Sequence, residues 1–251
     1  MPLLEAIRNC FAHSQRQSAE TEKRHRRRTS RRMVMESLER REVFSTDLLS
    51  AFAVGNGTGR TLAREVAADV AGNSYMAGLF SGTVDFDPSS AHPGDTDVPT
   101  ARGAGDAYIA KYAPDNSLLW AQRMGGDSMI ASATFGAIDE VADIKVDNNG
   151  NVFAVGNYAG SADFGSTTLT SAGDRDGFVT KLNSSGSFQW ASRWGGTIDN
   201  SGRALDIDAS GSIYATGNFK GTADFDPGTG TYNVSALGTS LSAFLVRLRR
   251  R

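Results

Sequence analysis

Two pairs of aspartates, each separated by one phenylalanine, have the residue types and spacing best suited to chemistry in this chain. They belong to the Asp-Phe-Asp-Pro sequences at residues 85–88 and 224–227. Side chains two residues apart on a strand lie on the same face, and paired carboxylates are suitable ligands for Ca²⁺. The candidate calcium ligands are therefore Asp85, Asp87, Asp224 and Asp226. The alternative is that each aspartate caps a turn and the proline ends an edge strand. It is favoured because the remaining copy, residues 163–166, reads Asp-Phe-Gly-Ser.

Other catalytic and metal-binding chemistry has little material in the repeats. The histidines are His13, His25 and His92, and the single cysteine is Cys10. A Ser-His-Asp triad and a cysteine-based zinc site are therefore not supported, and an intrachain disulfide is excluded. We predict no catalytic residue and no cofactor other than calcium. Acid–base catalysis by paired aspartates stays open as an alternative.

A glycine-rich stretch of eleven residues occurs three times without a gap, at 72–82, 150–160 and 211–221. Each copy fits Gly-x-x-aromatic-x-x-Gly-x-aromatic-x-Gly, follows an aspartate by three residues and precedes an Asp-Phe pair by three. The conserved pattern within the chain predicts a repeated structural unit rather than a phosphate-binding loop. Its marker residues are Gly72, Gly150, Gly211, Phe86, Phe164 and Phe225.

A second block recurs between the glycine-rich stretches, at 106–112, 176–182 and 242–248. In two copies it is followed by a strand-like sequence that carries Trp120 or Trp190. A degraded copy at 49–57 has Ala51 in the tryptophan place, and residues 48–54 are the predicted strand of this type that is left without a partner. The tryptophans recur at one position, which favours packing between repeats over a sugar-binding surface. The last two copies of the glycine-rich stretch lie 61 residues apart, and the first spacing is longer because of insertions at 87–105 and 127–140. Inserted loops on a rigid scaffold are the expected place for function.

Each repeat predicts four short antiparallel strands. Residues 141–147 alternate between polar and apolar side chains, and Asp147 and Gly150 bound a predicted hairpin turn. No stretch has a sustained helical period. The predicted fold class is all-β, a β-propeller-like array of about three four-stranded blades. The predicted divisions are a leader at 1–47 and repeats at 48–117, 118–187 and 188–251.

Charge separates the leader from the repeats. Residues 1–47 carry 11 Lys or Arg and 7 acids, a net charge of +4, whereas residues 48–251 carry 15 and 21, a net charge of −6. A leader with this density of charge is predicted to be disordered, and an acidic body makes nucleic acid an improbable partner. No run of apolar residues is long enough for a transmembrane helix, and no apolar core follows the arginine pairs as in a standard signal peptide.

Two parts of the sequence resemble known families. Residues 150–156, 176–182, 190–196 and 224–227 are similar to the bacterial β-propeller repeat family, also called seven-bladed propeller repeats. That resemblance covers about residues 48–248 and implies a propeller or propeller-like array, often on surface proteins, without a particular catalysis. Residues 31–47 resemble the N-terminal motif of planctomycete surface proteins, although Leu38-Glu39-Arg40 lacks the usual spacer. This second resemblance implies export to the cell envelope or outside.

The sequence therefore predicts a non-enzymatic surface or secreted scaffold or adhesion module that binds protein or glycan through blade loops. The alternative is a hydrolase or lyase with aspartates at the hub of a propeller. Closed propellers have about four to eight blades, so three repeats leave open edges, which are prone to associate. We predict head-to-tail self-association, in which the start of one chain pairs with the end of another.

Overall fold

The computed structural model describes residues 48–55, 59–87, 89, 99–127, 139–238 and 240–249. The predicted leader, the three histidines and most of the two insertions lie outside these residues. The described chain forms 15 β-strands and no helix, so none of it forms a helix able to cross a membrane. From Ser50 onwards the chain is one compact unit. The all-β prediction is confirmed, with several antiparallel sheets.

The first sheet contains four consecutive strands, each antiparallel to the next: β1 (Arg60–Ala68), β2 (Ser74–Ser81), β3 (Asp106–Tyr112) and β4 (Leu118–Met124). The second sheet repeats this order with β5 (Glu140–Val146), β6 (Val152–Tyr158), β9 (Asp176–Leu182) and β10 (Phe188–Gly196). Between its second and third strands lies the hairpin of β7 (Ser161–Phe164) and β8 (Thr167–Thr170). The two sheets are therefore built on one plan.

The third sheet contains the first three strands of this plan, β11 (Asn200–Ile207), β12 (Ile213–Phe219) and β15 (Ser242–Leu248). Two short strands, β13 (Thr222–Asp224) and β14 (Asn233–Ser235), instead extend the second sheet beyond β10. β13 joins β10 through the pairing of Gly195 with Asp224. An isolated bridge between Gly125 and Asp163 makes the same connection between the first and second repeats. The Asp-Phe segments of the second and third repeats thus pair with the end of the fourth strand of the preceding sheet.

The hairpin turn predicted between the first two strands is present in every repeat. The backbone N–H groups of Gly72, Gly150 and Gly211 donate to the carbonyls of Asp69, Asp147 and Asp208. These glycines have φ between 74° and 82°, a region that other residues adopt only with strain. The aspartate side chain also accepts from the backbone two and four residues later, as with Ser210 and Ser212 at Asp208. The repeated Asp-x-x-Gly sequence therefore specifies the turn.

The central glycine of each glycine-rich stretch lies opposite a β-bulge. Pairing shifts by one residue after Ala63, Val141 and Gly202, which places Arg64, Ala142 and Arg203 in the bulges. A Cβ atom at the opposing glycine, Gly78, Gly156 or Gly217, would collide with a carbonyl oxygen of the bulged strand. The glycines thus permit close approach of two backbones.

The hydrophobic core lies between successive sheets. One buried cluster joins Ile109 and Met124 of the first sheet to Ile144 of the second, and another joins Val179 and Trp194 of the second sheet to Leu205 of the third, with Phe219 and Phe225. The first strands of the sheets are neighbours, since β1 contacts β5 and β5 contacts β11. Each sheet is therefore stabilised mainly by burial against the next one.

The start of the described chain differs from the prediction. Residues 48–54 form no strand, because no neighbouring strand is available to pair with them among the described residues. The N–H of Gly55 donates to the carbonyl of Asp85 at 2.9 Å, as that of Gly125 does to Asp163. Gly55 is thus the counterpart of Gly125, and Ser50, not Ala51, holds the tryptophan place. The sheets, which begin at Arg60, Glu140 and Asn200, are also offset from the predicted repeats at 48–117, 118–187 and 188–251.

Candidate functional site

The four candidate calcium ligands lie in turns whose backbone uses their carboxylates. Asp85 Oδ1 accepts from the N–H of Asp87 at 2.9 Å, and Asp224 Oδ1 accepts from that of Asp226 at 3.0 Å. Asp226 in turn accepts from Gly228. Within the described ranges no three His, Cys, Asp or Glu side chains are grouped as metal ligands. These contacts are those of the turn-capping alternative, and calcium binding stays a prediction.

The phenylalanine between or after these aspartates has the same place in every repeat. Phe86, Phe164 and Phe225 are buried, and each ring contacts the aromatic side chain of the third strand. The ring centroids are separated by 4.7 Å for Phe86–Tyr108, 4.8 Å for Phe164–Phe178 and 4.7 Å for Phe225–Phe244. Burial of this ring secures the Asp-Phe segment to its own sheet.

The two repeated tryptophans have different surroundings. Trp120 lies between the first two sheets, where its Nε1–H donates to the carbonyl of Ser184 at 3.1 Å and its ring covers Gly186. Trp190 contacts Phe153 edge to face, at a centroid distance of 6.5 Å. Its Nε1–H has no acceptor in the part of the chain that the structure describes. Trp120 is thus a packing residue, and Trp190 presents an indole to a groove.

That groove, which we call the Trp190 groove, has a volume of about 920 Å³ and lies between the second and third sheets. It opens at the end of the sheets where the Asp-x-x-Gly turns lie. Its lining combines one indole with amide, carboxylate and ammonium groups, including Trp190, Gln189, Asn149, Asp206, Asp208 and Lys145. A wide, mixed polar and aromatic groove suits a hydroxyl-rich or peptide-like ligand more than a small apolar one.

The acids of the Trp190 groove differ in how far they are already engaged. Hydrogen bonds from the Ser210 hydroxyl and the Ser212 N–H hold the pKa of Asp208 well below its usual range. The hydroxyl of Tyr214 also donates to Asp208, at 3.1 Å. Asp206, in contrast, accepts at Oδ1 from the adjacent N–H of Ile207 and from no other donor in the described part of the chain. Asp206 is therefore the lining carboxylate best able to accept from a ligand.

A buried polar centre joins the first two sheets. Arg123 of β4 forms an ion pair with the fully buried carboxylate of Asp106 at the start of β3. Asp139, just before β5, accepts from the N–H of Gly126 at 3.1 Å and from that of Ala159 at 3.0 Å. Both carboxyls approach the Cα of Gly125, which has no side chain to separate them. Two acids therefore lie close together in an interior site, and Arg123 forms an ion pair with one of them.

Burial makes one of these acids a weak one. Desolvation raises the pKa of Asp139 to about 7, and the negative charge of Asp106 adds to this effect. The pKa of Asp106 is also raised by burial, against the opposing influence of Arg123. Asp106 Oδ1 has no hydrogen-bond donor among the residues that the structure describes. Asp106 Oδ1 and Asp139 Oδ2 both lie beside the position that a Cβ of Gly125 would occupy, so a proton on Asp139 is held near this oxygen.

The second interface contains the same centre with an amide in place of one acid. Asp176 and Arg193 correspond to Asp106 and Arg123, with a 3.0 Å ion pair, and Asn200 corresponds to Asp139. The Nδ2 of Asn200 donates to Asp176 Oδ1 at 3.3 Å. No sequence pattern described above predicted these centres, although Asp139 and Asn200 both lie eight residues before the turn aspartate.

A further cluster interrupts the repeat on the first strands. Glu140 of β5 lies between Arg64 of β1, at 3.2 Å, and Arg203 of β11, at 3.7 Å. The other repeats have Leu62 and Ser201 in its position. The two arginines occupy the bulges, so the cluster joins three neighbouring strands. Such a pair of exposed arginines on one acid adds modest stability.

No protein-family model and no curated protein matches this chain.

Proposed function

We propose that this chain is a non-enzymatic binding scaffold of the β-propeller type, with the Trp190 groove as its glycan-binding site. The observation that carries the proposal is the half-buried indole of Trp190, which lines the groove beside Asp206, Gln189 and Asn149. A flat aromatic face suits the C–H face of a sugar ring, and amide and carboxylate oxygens suit its hydroxyl groups. A propeller arrangement is supported by three similar antiparallel sheets whose first strands are neighbours.

The scaffold proposal is supported over a hydrolase or lyase by where the reactive carboxyls lie. Asp139 has the pKa best suited to acid–base chemistry near neutral pH, but its side chain is buried against backbone N–H groups of Gly126 and Ala159. A general acid must reach the proton acceptor on its substrate. The more exposed Asp206 shares the groove with Asp208, whose carboxylate already accepts from the Ser210 hydroxyl and the Ser212 N–H.

Glycan-array binding of the full chain tests the proposal, followed by titration of soluble hits with intrinsic tryptophan fluorescence. Replacing Trp190 by alanine should weaken binding about tenfold or more, because an aromatic contact of this kind contributes on the order of 1–2 kcal/mol. Trp190→Phe is the matched control, since it keeps a ring for stacking and for contact with Phe153. Binding unchanged in Trp190→Ala would refute the assignment of the groove.

Two other outcomes would redirect the proposal. Absence of any glycan binding, with capture of a protein ligand that Trp190→Ala abolishes, would identify the groove as a protein-binding site. Turnover of a polysaccharide that is abolished by Asp206→Asn would overturn the non-enzymatic assignment. Asp208→Asn is less informative, because the hydrogen bonds of Asp208 hold the turn.

We also propose that the protein acts at the cell envelope or outside the cell. The support is the resemblance of residues 31–47 to a surface-protein motif, together with an acidic repeat region. Fractionation of cells that express the tagged full chain tests this location. Recovery of the whole protein from the cytoplasmic fraction would contradict it.

A further inference from the structure

The two ends of the repeat array expose the two halves of an interface that is buried twice inside the chain. Each internal interface contains the same two apolar positions. One is the fourth residue of the third strand of a sheet, and the other lies on the first strand of the next sheet, three residues before its turn aspartate. These contacts belong to the clusters of Ile109 with Ile144 and Val179 with Leu205, all of which are at most 4% exposed. The same design is therefore used between the first and second sheets and between the second and third.

The outer sheets carry the same two positions without a partner. Leu245 of β15 corresponds to Ile109 and Val179, and it is 76% exposed. Val66 of β1 corresponds to Ile144 and Leu205, and it is 69% exposed. Beside Val66 lies an apolar depression that also contains Phe52, Met76 and Tyr112. Because both positions are exposed in the same chain, the chain does not bury them against each other.

Residues 50–55 carry one half of a second repeated contact, which joins the end of a fourth strand to the start of the adjoining third strand. Gly125 and Gly195 have φ of 146° and 157°, and a side chain there would collide with Asp106 or Asp176 at the start of the adjoining third strand. Gly55 has the same backbone form, with φ of 123°, and nothing among the described residues lies within 4 Å of its Cβ position. Residues 50–55 thus have the place of a fourth strand, but no third strand lies beside them among the described residues.

The core contacts of the segment agree with this assignment. Met124 and Trp194, the residues before Gly125 and Gly195, belong to the buried cluster shared with the following sheet. Val54, the residue before Gly55, packs in the same way against the core of the first sheet. β15 meanwhile pairs only with β12 among the described strands, which leaves its other edge open.

We infer that a second copy of this chain docks head to tail, with residues 50–55 of one copy as the fourth strand on β15 of the other. The register follows from β9 and β10, where Trp194 pairs with Gly177 and Ser192 with Val179. Val54 then pairs with Ala243 and Phe52 with Leu245. The sheet face around Leu245 packs against Val66 of the docked copy, which repeats the internal interface. The inference does not depend on what the Trp190 groove binds.

Light scattering on the full chain, coupled to size exclusion, tests the association. The mass should exceed one chain and rise with concentration. Val66→Asp and Leu245→Asp should each reduce the self-association at least tenfold, because each places a charge in one half of the interface. Val70→Asp is the matched control, since Val70 is 87% exposed and lies outside the interface.

A mixture of Val66→Asp and Leu245→Asp proteins distinguishes this geometry from a symmetric dimer. Each variant keeps one intact half, so the mixture should form a complex of two chains and no larger species. A symmetric interface of like patches would not be restored by mixing. A single-chain mass at all concentrations, or unchanged association of both variants, would overturn the inference.

The strand register has its own test that does not rely on destabilising charges. Directly opposite residues of antiparallel strands have Cβ atoms about 5 Å apart, within reach of a disulfide after small adjustment. In a Cys10→Ser background, Phe52→Cys with Leu245→Cys should give disulfide-linked chains on mild oxidation. Phe52→Cys with Leu237→Cys should not, and equal cross-linking of the two pairs would contradict the register.

Discussion

Replacing Asp139 by asparagine should remove a large part of the pH dependence of folding. In the folded protein the pKa of Asp139 is raised from 3.8 to about 7. Between these values the folded state holds a proton that the unfolded state has lost, so the free energy of unfolding falls as the pH rises. A shift of about three units corresponds to roughly 4 kcal/mol. This contribution is present at pH 4 and is lost by pH 8.

Asparagine fits the site because Asn200 has the same place in the second interface, where it donates to Asp176. An amide at residue 139 can donate likewise to the unpartnered Oδ1 of Asp106. It cannot accept from both Gly126 and Ala159, so one backbone N–H loses its acceptor at a cost of about 1–3 kcal/mol. That cost does not vary with pH, so it does not affect how the free energy of unfolding changes with pH.

The assay is urea denaturation of the wild type and Asp139→Asn at a series of pH values from 4 to 8. The difference in free energy of unfolding, variant minus wild type, should rise by on the order of 4 kcal/mol across this range. Carboxyls with lowered pKa, such as Asp69 at about 2, lose stability mainly below this range and affect both proteins alike. Parallel curves for the two proteins would refute the assignment of a proton to Asp139.

Four further substitutions test the repeated design. Asn200→Asp should create a second acid pair with Asp176, where the wild type has a neutral amide, so the free energy of unfolding should fall as the pH rises from 4 to 8. A variant whose free energy of unfolding depends on pH as that of the wild type does would contradict this. Gly156→Ala should destabilise by about 3 kcal/mol in urea denaturation, because its Cβ collides with the carbonyl of the bulged strand. Gly211→Ala, which has open space but positive φ, should cost only about 1 kcal/mol, and equal costs would argue against the clash. Trp120→Phe should cost about 1 kcal/mol by loss of the bond to the Ser184 carbonyl, and no change in midpoint would show that this bond adds nothing.

The local fold could be predicted from the sequence because its signals are local. Alternation of side chains identified β5, and Asp147 with Gly150 identified the turn that follows it. The glycine opposite each bulge was also predictable, since close backbone approach leaves little choice of residue. Repetition reinforced each of these signals, because a pattern seen three times without a gap is unlikely to be accidental.

What could not be predicted depends on contacts between sheets. Residues 48–54 have the composition of a strand but pair with no strand in the described ranges, and a strand forms only beside a neighbouring strand. The centre of Asp106, Arg123 and Asp139 combines residues from three separate elements, so spacing along the chain does not reveal it. The Trp190 groove likewise exists only because the second and third sheets diverge beside an indole.

Repetition within the chain allows structural roles to be separated from functional ones. Where a residue and its contacts both recur in every repeat, the requirements of folding explain that residue. Phe164 and Gly156 are such positions, and their counterparts have the same partners in the other repeats. Trp190 differs, because its counterpart Trp120 has an acceptor and a covering turn that it lacks. The exposed Leu245 departs in the same way from its buried counterparts. At Trp190 and Leu245 the sequence position is repeated but its surroundings are not. These are therefore the positions at which ligand binding and association are proposed.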